Sequence, residues 1–361
     1  MKKIAIWLLC LLMTPCLQAQ NYEALNSFMQ KYCQNWNEGY LQMGTDDMPE
    51  TIVQLGTTIP DFHLNDTLNS RSLRGRFVVL NFWATWCTGC RWLSTEIDTV
   101  MFRRTEADPG VQVIGVNAHE RLVDKGFYAD KWWRERDIRY PSSGGYGADV
   151  LCDTLHGGHP SAFLIDGEGI IRGRWDAWSP GVADFIAFSV WALKDMPAQG
   201  VTPCLRDVEA LMDESKWIHA AFLLEQMVGT PETDALLLKC LLRFSPFEAA
   251  NLIGHFENYK LDNAYDGLMR TIVSEVLACQ TADTRLLKQA LEASVYLLNH
   301  NRSQDLAVYE AAALVRVRYG EACIKQGKNL AKSGLDVAKR QQADAATLSH
   351  WEELLSSLGI E

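Results

Sequence analysis

Two cysteines, Cys87 and Cys90, stand two residues apart in the segment Trp83-Ala84-Thr85-Trp86-Cys87-Thr88-Gly89-Cys90. That spacing lets both sulfurs meet on one helical turn and close a small disulfide with little backbone movement. Where such a pair opens a helix, free backbone N–H groups and the helix dipole favour negative charge on the first sulfur and lower its thiol pKa. The chemistry that follows is thiol–disulfide exchange, with Cys87 as the attacking thiolate and Cys90, one turn inside, resolving the mixed disulfide that Cys87 forms. A structural disulfide or a zinc site is the bland alternative. Zinc needs two further ligands, and no second close Cys or His pair is visible. Haem attachment needs His directly after the second cysteine, where this chain has Arg91.

For Cys87 to sit at a helix mouth, a strand must deliver it and a helix must follow. Phe77 to Trp83 is rich in β-branched and aromatic residues and reads as a buried strand. A helix opening at Trp86 to Cys90 places Leu93, Ile97, Val100 and Met101 on its inner face. Val111 to Val116 reads as a second strand and Val123 to Arg136 as a second helix. A Gly-rich loop carrying Cys152 then precedes the strand Ala162 to Asp166, which Gly167-Glu168-Gly169 turns back into Ile170 to Trp175 as an antiparallel hairpin. Ser179-Pro180 supplies an N-cap and a first-turn proline for a helix to about Lys194. Upstream, Pro60 to Asp66 and Ser72 to Arg76 read as a short hairpin. From Asn21 to about Glu38, Tyr22, Leu25, Phe28, Met29 and Tyr32 recur at helical steps and form a packing arm. Strands alternating with helices and closing on a hairpin define an α/β sandwich.

Past Asp195 every signal is helical. Thr202-Pro203, Thr230-Pro231 and Ser245-Pro246 each set a capping hydroxyl before a proline, and Glu248 completes a capping box with Ser245. Further breaks fall at 280–283, 300–303 and 326–327. Helices of this spacing stack as antiparallel hairpins in an all-α bundle or solenoid-like domain, although no tetratricopeptide-like period is present.

The ends and the composition set the context. Lys2 and Lys3, the apolar run Ile4 to Met13 and Leu17-Gln18-Ala19 fit a secretory signal over residues 1–19. The run falls far short of the roughly 20 residues that span a bilayer. Lipidation at Cys16 fits poorly, because Pro15 stands where a small residue belongs. Export, most simply to the periplasm, and no stable membrane insertion after cleavage are the expectations. With 361 residues and 48% hydrophobic side chains, two folded domains are expected. The net charge of −11 leaves no basic surplus for nucleic acid. The organisation predicted is a leader at 1–19, an N-terminal helical arm at 20–50, an α/β domain at 51–197 and an all-α domain at 198–361. Among the remaining cysteines, Cys240, Cys279 and Cys323 lie in apolar helical context and read as buried small side chains. Cys152, in the loop ahead of Pro160, could act as a third redox thiol, but an isolated loop cysteine reads as incidental.

The segment Val79 to Arg91 resembles the active-site stretch of thioredoxin-like proteins of the TlpA and ResA type, within the redoxin or AhpC-TSA-like superfamily. Gly158-His159-Pro160-Ser161-Ala162-Phe163-Leu164-Ile165-Asp166-Gly167-Glu168-Gly169 is similar to that family's loop bearing a cis-proline, with its strand and turn. The resemblance covers roughly residues 51–197. It implies a thioredoxin-like three-layer sandwich, a cis Pro160 facing the Cys87 sulfur, and a His159 backbone free to pair with a bound polypeptide. It also implies disulfide exchange with exported client proteins that carry cysteines or disulfides, mostly in the reducing direction, as in cytochrome c maturation. A membrane thiol–disulfide relay would be the electron donor, and no cofactor or metal is called for. A peroxiredoxin of the same fold would need Thr and Pro where Ala84 and Leu80 stand.

Three departures from the family pattern matter, at four residues. Gly89 replaces the common Pro before the second cysteine, Leu93 and Thr95 replace an acidic residue and a Pro, and His159 replaces Thr or Val. With Leu93 in place, Cys90 lacks its usual carboxylate, and the orientation of Glu96 is open. A protonated His159 would stabilise the Cys87 thiolate and favour oxidation. Trp83 reads as core and Trp86 as a lid over the sulfur. The competing class is an interaction protein, whose helical half binds an exported partner while the thioredoxin-like half serves as a scaffold with little turnover.

Overall fold

Seven consecutive residues, Phe77–Trp83, form strand β1, and all but the first are buried. The computed structural model describes residues 22–36, 55–120, 125–194 and 203–359. The predicted leader and much of the predicted arm lie outside them. The chain divides into two compact units, Met1–Val201 and Thr202–Glu361.

In the first unit, α1 (residues 22–32) precedes β1, and α2 (Thr88–Glu96) follows it. The chain continues through a π-helical turn, Ile97–Phe102, and a last turn α3 (Arg103–Thr105) to β2 (Val111–Asn117) and α4 (Lys125–Arg134). Then come β3 (Ser142–Gly144), α5 (Tyr146–Thr154), β4 (Ser161–Ile165), β5 (Ile171–Asp176) and α6 (Val182–Lys194). The strands lie in the order β3-β2-β1-β4-β5. β1 pairs parallel with β2 and antiparallel with β4, which returns as a hairpin into β5. Because successive side chains alternate across a strand, Val78, Leu80 and Phe82 enter one core. There they meet Ile114, Val116, Phe163 and the α5 residues Ala148, Leu151 and Cys152. Asn81 and Trp83 face the other side, where Asn81 Nδ2 donates to Ser94 Oγ on α2 at 2.9 Å and Trp83 packs on Trp132 and Trp133 of α4. These are the three layers of a thioredoxin-like sandwich, as the family resemblance implies.

Several sequence expectations change in this unit. The first helix ends at residue 32, and Trp36 bridges to Trp175 on the edge strand β5 instead of extending the helix. The stretch 60–76 is a loop with a single bridge, His63 to Asn69, because Asn65 Oδ1 accepts from Thr67 N and Leu68 N and folds the chain locally. The π-helical turn inserts an extra residue into the helical face, so Val100 is only partly buried and Asp98, 1% exposed, takes a core position. Its carboxylate accepts from Arg103 Nε at 2.6 Å and Arg139 N at 2.7 Å. The Gly-rich segment contains β3 and α5, and Cys152 is a buried residue of α5, not a loop cysteine. The last helix starts at Val182, after Gly181 at φ +84°, so Ser179-Pro180 forms a preceding turn rather than the cap.

The second unit is helical throughout its described residues. Its helices are α7 (Leu205–Asp213), α8 (Trp217–Glu225), α9 (Pro231–Phe244), α10 (Pro246–His255), α11 (Tyr265–Ala278), α12 (Thr284–His300), α13 (Leu306–Tyr319), α14 (Glu321–Arg340) and α15 (Ala345–Ser357). α7 to α10 and α11 to α15 each pack on the next helix, and α9 with α11, α10 with α12 and α11 with α13 pack next but one, which gives a layered, solenoid-like stack. Thr230 caps α9 as expected. Helix α7 is capped by Cys204 with Asp207 instead of by the Thr202-Pro203 pair. Ser245 makes no side-chain cap, and Glu248 accepts from Asn251 instead. The break expected at 326–327 is absent: α14 runs through it, and Gly327 is where α14 lies against Ala313 and Val317 of α13, 2.8 Å from where a Cβ would stand. Cys240 is buried, but Cys279 and Cys323 are only partly so. No helix among the described residues is long and apolar enough to cross a membrane.

Candidate active site at the Cys87–Cys90 disulfide

β1 ends at Trp83, and the turn Ala84-Thr85-Trp86 delivers Cys87 to the N-cap of α2 in an extended backbone conformation. Cys87 Sγ accepts a hydrogen bond from Cys90 N at 3.0 Å. This free helix-terminal N–H stabilises a thiolate. Cys87 and Cys90 are joined in a disulfide with Cα atoms 5.3 Å apart. Cys87 is 7% exposed, whereas Cys90 is fully buried behind it. Of the two sulfurs, an incoming thiol or disulfide can therefore reach only that of Cys87.

Pro160 closes the site from the opposite side. The His159–Pro160 bond is cis, and the Pro160 ring lies against Gly89, with the Trp178 Cβ beside it. Trp86 is 41% exposed, and its indole N–H donates to His119 O at 3.0 Å. Its ring lies 5.1 Å from that of His159. The structure thus gathers Cys87, Cys90, Trp86, His159 and Pro160, with Trp86 leaning on His159.

The electrostatic role open to His159 differs from the sequence expectation. Its Nε2 donates to Ala118 O at 3.0 Å, so this nitrogen carries a proton. Burial holds its pKa below the ordinary imidazole value, against the raising effect of the Ala118 hydrogen bond. Burial thus disfavours the protonated imidazole, and the donor that the structure places on the Cys87 sulfur is the Cys90 N–H at the helix terminus. Burial also raises the Glu96 carboxyl above its usual range, against the lowering effect of the Trp178 indole.

Glu120 is a site residue that the sequence reading missed. It is 4% exposed just beyond β2, and its carboxylate accepts from Thr85 N at 2.9 Å, Thr85 Oγ1 at 2.7 Å and Asn117 Nδ2 at 3.3 Å. It thereby clamps the turn that carries Cys87. The signal available was position: polar residues at the carboxyl ends of adjacent parallel strands face the crevice where open α/β sheets place their sites. His119 was likewise not foreseen here; it and Cys152, which the sequence raised as a candidate third redox thiol, both lie near His159.

Residues 55–174 match the AhpC/TSA family. The chain is 34% identical over 128 residues to the thiol:disulfide interchange protein DsbE of Tatumella citrea, covering 33% of this chain and 64% of that protein. It is 28% identical over 122 residues to the thiol-disulfide oxidoreductase ResA of Bacillus cereus, covering 32% and 66%. Against the thiol:disulfide interchange protein DsbE of Pseudomonas fluorescens biotype C it is 30% identical over 164 residues, covering 44% and 75%. The first two alignments span just under two thirds of those relatives' own lengths. With the AhpC/TSA match, the redox-spaced cysteines at a helix mouth and 30% identity across three quarters of one such relative, the chain belongs to the thioredoxin-like thiol-disulfide oxidoreductases of the DsbE and ResA type.

Proposed function

We propose that this chain is an exported thiol-disulfide oxidoreductase that works in the periplasm as a reductase of client proteins, with Cys87 as nucleophile and Cys90 as resolving thiol. The observation that carries this reading is the pairing of a reachable Cys87 sulfur at the N-cap of α2 with a sealed Cys90 sulfur one turn inside. In the reduced enzyme the Cys87 thiolate attacks one sulfur of a client disulfide, forms a Cys87–client bond and expels the client's second sulfur as a thiolate. Cys90 then loses its proton and attacks the Cys87 sulfur. The mixed disulfide breaks, the Cys87–Cys90 bond forms, and the client leaves with both sulfurs reduced and two electrons gained.

The surrounding residues serve these steps. The Cys90 N–H, 3.0 Å from Cys87 Sγ, stabilises the thiolate before attack and when it is the leaving group. By the family resemblance the His159 backbone pairs with a client segment, and Glu120 fixes the turn beneath Cys87. A membrane thiol–disulfide relay returns the two electrons. The reducing direction is supported by the burial that disfavours a charged His159, since that charge would be a source of thiolate stabilisation favouring oxidation.

Trapping tests this reading. A Cys90→Ala chain produced in an exporting host accumulates mixed disulfides with extracytoplasmic proteins, and adding Cys87→Ala abolishes them. Equilibration against glutathione gives the direction: a potential as high as about −120 mV, that of a strong oxidant, overturns the reductase assignment. If neither variant changes any adduct and the purified chain neither reduces nor oxidises a test disulfide, the enzymatic reading falls and the scaffold reading replaces it.

A further inference from the structure

Cys152 is a buried thiol that the exchange chemistry leaves unused. His119 just beyond β2, Cys152 on α5 and His159 in the loop before Pro160 each offer one ligand atom, and these three atoms lie within 4.8 Å of one another. We propose that they form a binding site for a single Zn2+ ion beside the redox disulfide.

Two imidazoles and one thiolate suit a borderline-soft, tetrahedral cation, with water in the fourth position. Both rings already carry outer hydrogen bonds of the kind that orient metal-binding histidines. His159 Nε2 meets Ala118 O at 3.0 Å, and His119 Nε2 meets Asp153 Oδ1 at 3.0 Å. With those nitrogens protonated, each Nδ1 keeps its lone pair. Asp149, whose carboxylate accepts from His119 N at 2.6 Å, adds negative charge close by. His119 is partly exposed, which gives the ion a way in.

A filled tetrahedral site holds such atoms roughly 3.3–3.6 Å apart, so the cluster closes by about 1 Å when the ion enters. Cys152 is fixed in a helix; His119, at φ +52° after β2, and His159 lie in loops and supply the movement. Cys152 Sγ now donates its thiol proton to Gly157 O at 3.2 Å. The ion must therefore displace that proton: the S–H bond breaks, the S–Zn bond forms, and one proton passes to solvent. An occupied site ties the end of β2, α5 and the proline loop together where Trp86 rests on His159.

The full-length chain is tested with Cys87–Cys90 oxidised, so that those sulfurs cannot ligate and the outcome does not depend on exchange activity. Titration with Co2+ gives one equivalent bound with a thiolate-to-cobalt charge-transfer band, and Zn2+ displaces it. Cys152→Ser abolishes the band, and His119→Ala weakens binding about tenfold or more. Cys204→Ser, at an exposed thiol in the other unit, leaves both unchanged. Absence of stoichiometric Co2+ and Zn2+ binding, or wild-type affinity in the His119→Ala chain, overturns the proposal.

Discussion

Pro160 lies so close to Gly89 that a Cβ there would stand 3.1 Å from the proline Cδ and 3.4 Å from its Cγ. The glycine between the two cysteines, where related proteins often carry proline, is thus the residue against which the proline loop rests. The loop is anchored from behind, because Pro160 O accepts from Ala177 N at 3.0 Å.

Gly89→Ala sets two effects against each other. Alanine gains up to about 1 kcal/mol in a helix, whereas the contact forces Pro160 back by a few tenths of an ångström. Stability should change little. Disulfide exchange should slow roughly fivefold if about 1 kcal/mol of the contact cost appears at the site. Thermal melts and the rate of test-disulfide reduction, measured on the same preparation, check this, and an unaltered rate contradicts it.

Glu120→Ala removes the acceptor for Thr85 N and Oγ1 in the turn before Cys87. Leaving those donors unpaired costs about 1–3 kcal/mol. The melting temperature of the first unit should fall by several degrees, and Glu120→Gln, which keeps an acceptor oxygen, should recover part of the loss. Differential scanning calorimetry of the three chains decides it.

Acid should weaken the helical unit through His219, whose pKa burial lowers to about 4. Because the unfolded chain binds this proton near pH 6.5 and the folded chain only near pH 4, the stabilisation is complete above pH 6.5. It is lost as pH falls through about 4, up to about 3 kcal/mol in all. Denaturant melts from pH 7 to pH 4 should show this loss in the native chain and a smaller one in His219→Gln.

In α14, Gly334 is where the Trp351 ring of α15 fills the space that a side chain would take. Gly334→Ala should destabilise the unit by about 1–3 kcal/mol despite the helical gain and shift the Trp351 fluorescence. Gly254→Ala in α10, where a Cβ meets nothing within 4 Å, is the matched control and should be neutral or stabilising.

The elements that could be read from the chain are those whose signals are local. β1 is a run of β-branched and aromatic residues, the β4–β5 hairpin is marked by its Gly-Glu-Gly turn, and Thr230-Pro231 caps α9 with its own hydroxyl. The spacing of Cys87 and Cys90 likewise states its chemistry within four residues. The stretch 142–147 hides β3 and the start of α5 because its glycines and serines carry no periodicity, so Cys152 looked like a loop residue. The π-helical turn that buries Asp98 has no sequence period of its own.

Composition and short-range pattern determined by themselves that this chain holds a redox-spaced cysteine pair between a buried strand and a helix, followed by a second, helical part. Tertiary structure alone decided what stands around that pair. Glu120 reaches Thr85 across 35 positions, and His119, Cys152 and His159 converge from separate elements. Parallel strand pairing brings the carboxyl ends of β1 and β2 side by side, and neighbours made that way are set by sheet register rather than by distance along the chain.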